Sequence, residues 1–153
     1  MSQENVETVR GVFALAARFS GVLSAGEVDR YLTDAALREY FDPEIEWVPV
    51  PQSLLATSSY TGYAGVRRFW TDFLSAWDEY VLKPVDFVDC GDQVAMIMRM
   101  TARTQELRLD ELWSSLFTLR DGKIVRVQGF TNREGALEAA RLRSRKLEVD
   151  RDR

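Results

Sequence analysis

The sequence predicts an α+β fold, with helices gathered on one face of an antiparallel sheet. Three observations predict it. Apolar residues recur at helical spacing through the first half of the chain. The period then changes from 3.6 to 2 in four successive segments between Lys83 and Thr131. The resulting order of helix, helix, strand, helix, four strands and helix is that of an α+β layer rather than a parallel α/β sheet. With 153 residues the chain reads as one domain, 1–153, because two would each approach the lower size limit.

The first helix is expected from about Asn5 to Ser20, on Val6, Val9, Phe13, Ala16 and Ala17. Ser24 and Glu27 have capping-box spacing, and a second helix runs from there toward Tyr40. Asp42-Pro43 stops it. Glu44 to Val50 is a short β-rich run closed by prolines, and Gln52 to Gly62 reads as a loop. Val66, Phe69, Trp70, Phe73, Leu74, Trp77 and Val81 form one broad helical stripe. Strands follow over Lys83–Asp89, Gln93–Thr104, Leu109–Arg120 and Lys123–Thr131. Thr131 and Glu134 again have capping-box spacing, opening a last helix through Ala136, Leu137 and Ala140.

Composition excludes whole classes of chemistry. There is no histidine, which removes Ser-His-Asp and Cys-His catalysis and every His-ligated metal site. One cysteine, Cys90, allows neither an internal disulfide nor a thiolate cluster, and its turn offers no base to activate it. No metal and no cofactor is expected. The net charge of −4 and pI near 5.0 argue against a nucleic-acid partner. No apolar run approaches the roughly 20 residues that cross a bilayer, and the start carries no signal peptide. The expectation is a cytoplasmic protein. Arg141 to Arg153 holds six basic and three acidic residues against 14 and 21 elsewhere, so a +3 tail follows a −7 body.

Asp121-Gly122 is a two-residue type I′ hairpin signal. Regular pairing from that turn sets Phe117 opposite Arg126, Ser115 opposite Gln128 and Trp113 opposite Phe130. One face then carries Glu111, Trp113, Ser115, Phe117, Arg126, Gln128, Phe130 and Asn132, a mixture of aromatic walls and polar groups suited to a pocket. The other carries Leu112, Ser114, Leu116, Thr118, Val125, Val127, Gly129 and Thr131, suited to flat packing against another layer.

The segments Phe41-Asp42-Pro43-Glu44-Ile45-Glu46-Trp47, Tyr60-Thr61-Gly62-Tyr63-Ala64-Gly65-Val66-Arg67-Arg68-Phe69, Leu119-Arg120-Asp121-Gly122-Lys123-Ile124-Val125 and Asn132-Arg133-Glu134-Gly135-Ala136-Leu137-Glu138-Ala139-Ala140 resemble the SnoaL-like family of the nuclear-transport-factor-2-like superfamily. The resemblance runs from about Val6 to Leu142 and leaves 143–153 as a charged tail. It implies a cystatin-like α+β roll: a curved antiparallel sheet wrapped around helices, enclosing a conical apolar cavity. It also implies a homodimer through the outer sheet face, which a charge at Leu116 or Val127 is expected to break.

The resemblance implies catalytic positions that this chain has replaced. The His and Asp of SnoaL-type polyketide cyclases fall on Ser115 and Asn132, and a Tyr two residues earlier falls on Phe130. The acid–base positions of ketosteroid isomerases fall near Val48, Phe19 and Ser115. Arg99 matches the Arg of limonene-type epoxide hydrolases, but Thr101 stands where an acid is needed. Met96, Met98 and Met100 alternate against Arg99, so methionines in the core turn it outward.

The function expected is therefore binding of a small, mostly apolar molecule, without the usual His/Asp pair. Trp47, Tyr60, Tyr63, Trp70, Trp113, Phe117, Gln128 and Phe130 are the candidate binding residues. Glu111, Arg99, Ser115 and Asn132 are the candidate catalytic ones. One alternative is a cofactor-independent isomerase, cyclase or hydrolase using Glu111 or Glu46 as base. Another is a non-catalytic dimerisation module. For Asn132, capping of the last helix competes with a ligand contact.

Overall fold

A computed structural model describes residues 2–17, 28–49 and 59–151. Helix α1 spans Ser2–Ala17, α2 Val28–Tyr31 and α3 Asp34–Arg38. Strand β1 spans Phe41–Val48 and β2 Tyr60–Thr61. Helix α4 covers Gly62–Ser75. Strands β3 (Glu79–Asp89), β4 (Gln93–Arg103), β5 (Arg108–Arg120) and β6 (Lys123–Phe130) lead into α5 (Gly135–Arg151). The expected Ser24–Glu27 capping box, Phe19 and most of the Gln52–Gly62 loop lie outside the described residues.

The strands form one curved, open sheet in the order β2-β1-β6-β5-β4-β3. It is mixed: β1 runs parallel to β6, and the other neighbours are antiparallel. The α+β class expected from the periodicity holds.

Two helical expectations change. The span from Glu27 to Tyr40 divides into α2 and α3. Thr33 Oγ1 accepts from Ala36 N at 3.2 Å and caps α3, while Arg67 of α4 donates to the Leu32 carbonyl at 3.1 Å and to Asp34 at 2.7 Å. A threonine cap and an arginine on the freed carbonyl stabilise the break. Helix α4 ends at Ser75, so Val81 belongs to β3, opposite Thr101. The strand takes over because Asp78 N donates to Arg103 O at 2.8 Å, starting the β3–β4 ladder.

The largest correction concerns the β5–β6 register. The turn is the expected type I′: Asp121 has φ +53° and Gly122 φ +79°, and Arg120 pairs with Lys123. Past Leu119–Ile124 the pairing jumps to Thr118–Arg126, leaving Val125 as a bulge. Phe117 therefore faces Val127, Leu116 faces Gln128, Ser115 faces Gly129 and Ser114 faces Phe130. Every β6 residue beyond the bulge moves to the face opposite its expected one. The energetic reason is Arg126. Regular alternation from buried Ile124 sends its guanidinium into the core. The bulge instead buries Val127 and leaves Arg126 outside, donating to Glu46 Oε1 at 2.8 Å.

The concave face carries Val94, Met96, Met98 and Met100 of β4 opposite Phe117, Ser115, Trp113 and Glu111 of β5. Val94, Met96, Met98 and Phe117 join Val6, Val9, Ile45, Trp47, Val66, Ile124 and Val127 in the main core, while Met100 packs with Tyr80 and Leu74 in a second cluster. The convex face sets Ala95 beside Leu116, and α5 covers both with Ala136 and Ala140. Leu116 and Val127 are thus interior residues, at 4% and 1% exposure, and neither can meet a second copy. Gly135 permits this closure, because a Cβ there would sit 2.6 Å from Phe130 Cβ.

Candidate functional site

Period-2 alternation aims Trp113, Ser115 and Phe117 of β5 and Met96 and Met98 of β4 into the concave face. Helix α4 lies across it and supplies Phe69, Trp70 and Phe73; β1 adds Trp47, β3 Tyr80 and Leu82, and α1 Phe13. Together these walls enclose a cavity of about 60 Å³. That is the share of roughly two water molecules at about 30 Å³ each in the liquid.

The walls are aromatic and interlocked. Trp70 meets Trp47 edge-on at 5.7 Å between ring centres, Phe73 meets Tyr80 at 5.1 Å and 87°, and Phe13 meets Phe117 at 6.3 Å and 85°. Phe73 and Trp113 stand 6.5 Å apart. No charged side chain lines the cavity among the described residues.

Two hydroxyls interrupt the apolar lining. Ser115 is 9% exposed and Tyr80 is 2% exposed, and neither side chain hydrogen-bonds to another of the described residues. Burial pushes the Tyr80 phenol far above its ordinary range, and it stays protonated.

Of the candidate residues, Trp47, Trp70, Trp113, Phe117 and Ser115 come together here. Glu111 shares their face but is exposed at the far end of β5, where its Oε2 accepts from Trp113 Nε1 at 2.7 Å. Glu46 points outward with Arg126, as expected once Trp47 turns in. Arg99 is on the convex face, 59% exposed, in a two-pronged pair with Asp110 at 2.8 and 2.7 Å. The guanidinium holds the Asp110 carboxyl below the usual carboxylate range.

Four further candidates are placed elsewhere. Asn132 caps α5: its Oδ1 accepts from Gly135 N at 2.7 Å. Ser114 completes that cap, donating to Asn132 O at 2.8 Å and accepting from Ala136 N at 3.0 Å. Gln128 turns to the convex side with Arg126 because of the bulge. Tyr60 and Tyr63 are fastened to the scaffold, Tyr60 donating to Asp72 Oδ2 at 3.3 Å and Tyr63 to Phe41 O at 2.9 Å. Phe130 is shared: it packs under α5 and also borders the cavity.

The sequence pattern of the SnoaL-like domain matches residues 16–127. The chain belongs to the SnoaL-like family. Solved structures agree at the level of fold. TerC co-crystallised with polyporic acid superimposes with a TM-score of 0.64 at 20% identity, covering 90% of this chain and 98% of TerC. Bal32a from a soil-derived mobile gene cassette gives 0.64 at 22%, covering 84% and 88%. A nuclear-transport-factor-2-like protein of Burkholderia xenovorans LB400 gives 0.63 at 20%, covering 92% and 98%. No curated protein matches the sequence.

Tyr80 is the site residue that sequence reading missed. It sits just past the aromatic stripe of α4, and extending that helix to Val81 hides it. The readable signal was alternation: Tyr80, Leu82 and the inward methionines share one face once β3 begins at Glu79.

Proposed function

We propose that this SnoaL-like protein binds a small, mostly apolar molecule between α4 and the concave sheet face, without a His/Asp acid–base pair. The observation that carries the reading is an aromatic-walled cavity that no charged side chain lines among the described residues, with Tyr80 and Ser115 as its hydroxyl-bearing members. Such convergence of apolar walls and a few polar groups is how small-molecule sites are built. TerC, of the same fold, has been crystallised with polyporic acid, a precedent for a small-molecule guest.

Size sets the condition. A cavity of about 60 Å³ is under half of the roughly 150 Å³ apolar space that holds benzene. A ring-sized guest therefore enters by rotating a wall. Phe73 and Trp113, both half-buried, are the rings placed to move. The same small volume favours a second reading, a non-catalytic module whose own aromatics fill the cavity. A reaction using Glu111 as base is a weaker alternative, since Trp113 already occupies one of its oxygens.

Thermal-shift screening against polyketide and terpenoid libraries, followed by tryptophan fluorescence titration, separates these readings. Binding predicts a raised melting temperature and altered emission from the wall tryptophans. A melting temperature unmoved by every compound overturns the binding reading in favour of the filled module.

A further inference from the structure

We propose a second binding site on the convex side of the sheet: a groove between α5 and the end of β3 that takes a small amphiphilic carboxylate, its acid group held by Arg141 and Arg145. The site is separate from the cavity under α4 and does not depend on the function proposed for it.

Helical spacing builds one wall. Leu137, Arg141 and Ser144 follow one another at i, i+4 and i+7, and Arg145 stands one turn beyond Arg141, so they share one flank of α5. Strand β3 and its turn build the other. Val88 pairs with Ala95 on the convex face, and Val88 and Cys90 both pack against the cluster that holds Ala140. The groove between the walls has a volume of about 600 Å³, against about 60 Å³ for the cavity under α4. That lies within the roughly 300–1,000 Å³ of small-molecule sites. Its floor is apolar. Burial pushes the Cys90 thiol above its ordinary value, and its Sγ donates to the Val88 carbonyl at 3.7 Å, so the thiol stays uncharged beside Val88, Leu137 and Ala140. The rim carries the charge. Arg141 and Arg145 line the groove, and neither makes an ion pair with a carboxylate among the described residues. Arg143, on the same helix but outside the groove, is tied to Asp92 at 2.6 Å. Two guanidiniums above an apolar floor complement a carboxylate with an apolar body. Their planar N–H forks match carboxylate oxygens, and Ser144 adds a hydroxyl on the same rim. An ammonium group would be repelled there, and a neutral molecule would leave both cations without a counter-charge.

Cys90 is the single cysteine of the chain, so its alkylation by iodoacetamide reports on this groove and not on the cavity. Rates at pH 8 are followed by mass spectrometry in the presence of 4-phenylbutyrate, 4-phenyl-1-butanol or 4-phenylbutylammonium, for the wild type and for the double variant Arg141→Gln/Arg145→Gln. The carboxylate is expected to halve the rate at a concentration roughly fivefold below that of the alcohol, the scale of exposed ion pairing. The ammonium is expected to leave the rate unchanged at tenfold that concentration. The double variant changes only exposed side chains, so it is expected to keep the wild-type melting temperature and to lose the carboxylate's advantage. Alkylation that no probe slows, or that acid and alcohol slow equally, overturns the proposal, and the wild type alone decides this. A folded double variant that keeps the full preference overturns it too. Slowing by raised protein concentration alone assigns the groove to a second copy of the chain and has the same consequence. None of these outcomes touches the reading of the cavity under α4.

Discussion

Two adjacent serines carry opposite duties, and strand alternation assigns them. Ser114 faces α5, where its hydroxyl donates to Asn132 O and accepts from Ala136 N. Ser115 faces the cavity and makes no side-chain hydrogen bond to another of the described residues. Ser114→Ala is therefore expected to destabilise the fold by about 1–3 kcal/mol, because it orphans a helix amide and a carbonyl. Ser115→Ala removes a hydroxyl with no hydrogen bond to the other described residues and is expected to change stability by less than about 1 kcal/mol. Urea melts check both, and a Ser115→Ala loss as large as that of Ser114→Ala would contradict this division of duties. The raised Tyr80 pKa also fixes the sign of an alkaline effect. The phenol ionises near pH 10 in the unfolded chain and only above that when folded. Its contribution is intact below pH 10 and is lost as the pH climbs toward the folded value. Stability measured between pH 9 and 11.5 should fall more steeply in the wild type than in Tyr80→Phe.

At the scale of elements, the β6 bulge decides which side chains see the cavity. Val125 as an extra residue lets Ile124 and Val127 both turn inward and keeps Arg126 out. Deleting Val125 restores regular pairing and drives Arg126 toward the core. The expected outcome is a chain that no longer unfolds cooperatively in a thermal scan; a deletion variant melting within a few degrees of wild type would argue against the bulge. Leu116 lies between the sheet and α5, so Leu116→Ala should cost about 2–5 kcal/mol by leaving a void under the helix. The hairpin turn was legible because Asp-Gly dictates its own backbone. The bulge was not, because Ile124, Val125 and Val127 are all aliphatic and no local pattern says which two are buried. For Asn132 spacing leaves ligand contact and cap in competition, and the contacts with Ser114 and Gly135 that decide it are not visible in the sequence. The inward set Trp47, Met96, Met98, Trp113 and Phe117 was readable, since each sits in a clean alternation.

For the whole molecule, the curved sheet has two uses. Its concave side holds the cavity, and α5 occupies part of its convex side through Ala136 and Ala140. What α5 leaves open on the convex side includes Leu112, 40% exposed, beside the Arg99–Asp110 pair. A homodimer through the outer face would use this surface rather than Leu116 or Val127. Leu112→Glu should then shift a sedimentation profile from dimer to monomer, and a wild type that sediments as a monomer at tens of micromolar would remove the dimer from the account.

The central claim is that the aromatic walls part around an uncharged guest. A crystal structure with 2-acetylnaphthalene tests it most directly. The expected result is density for the naphthalene between α4 and the concave sheet face, with a rotated Phe73 or Trp113. A cavity still closed at about 60 Å³, with its rings unmoved and the compound absent or on the surface, would contradict it.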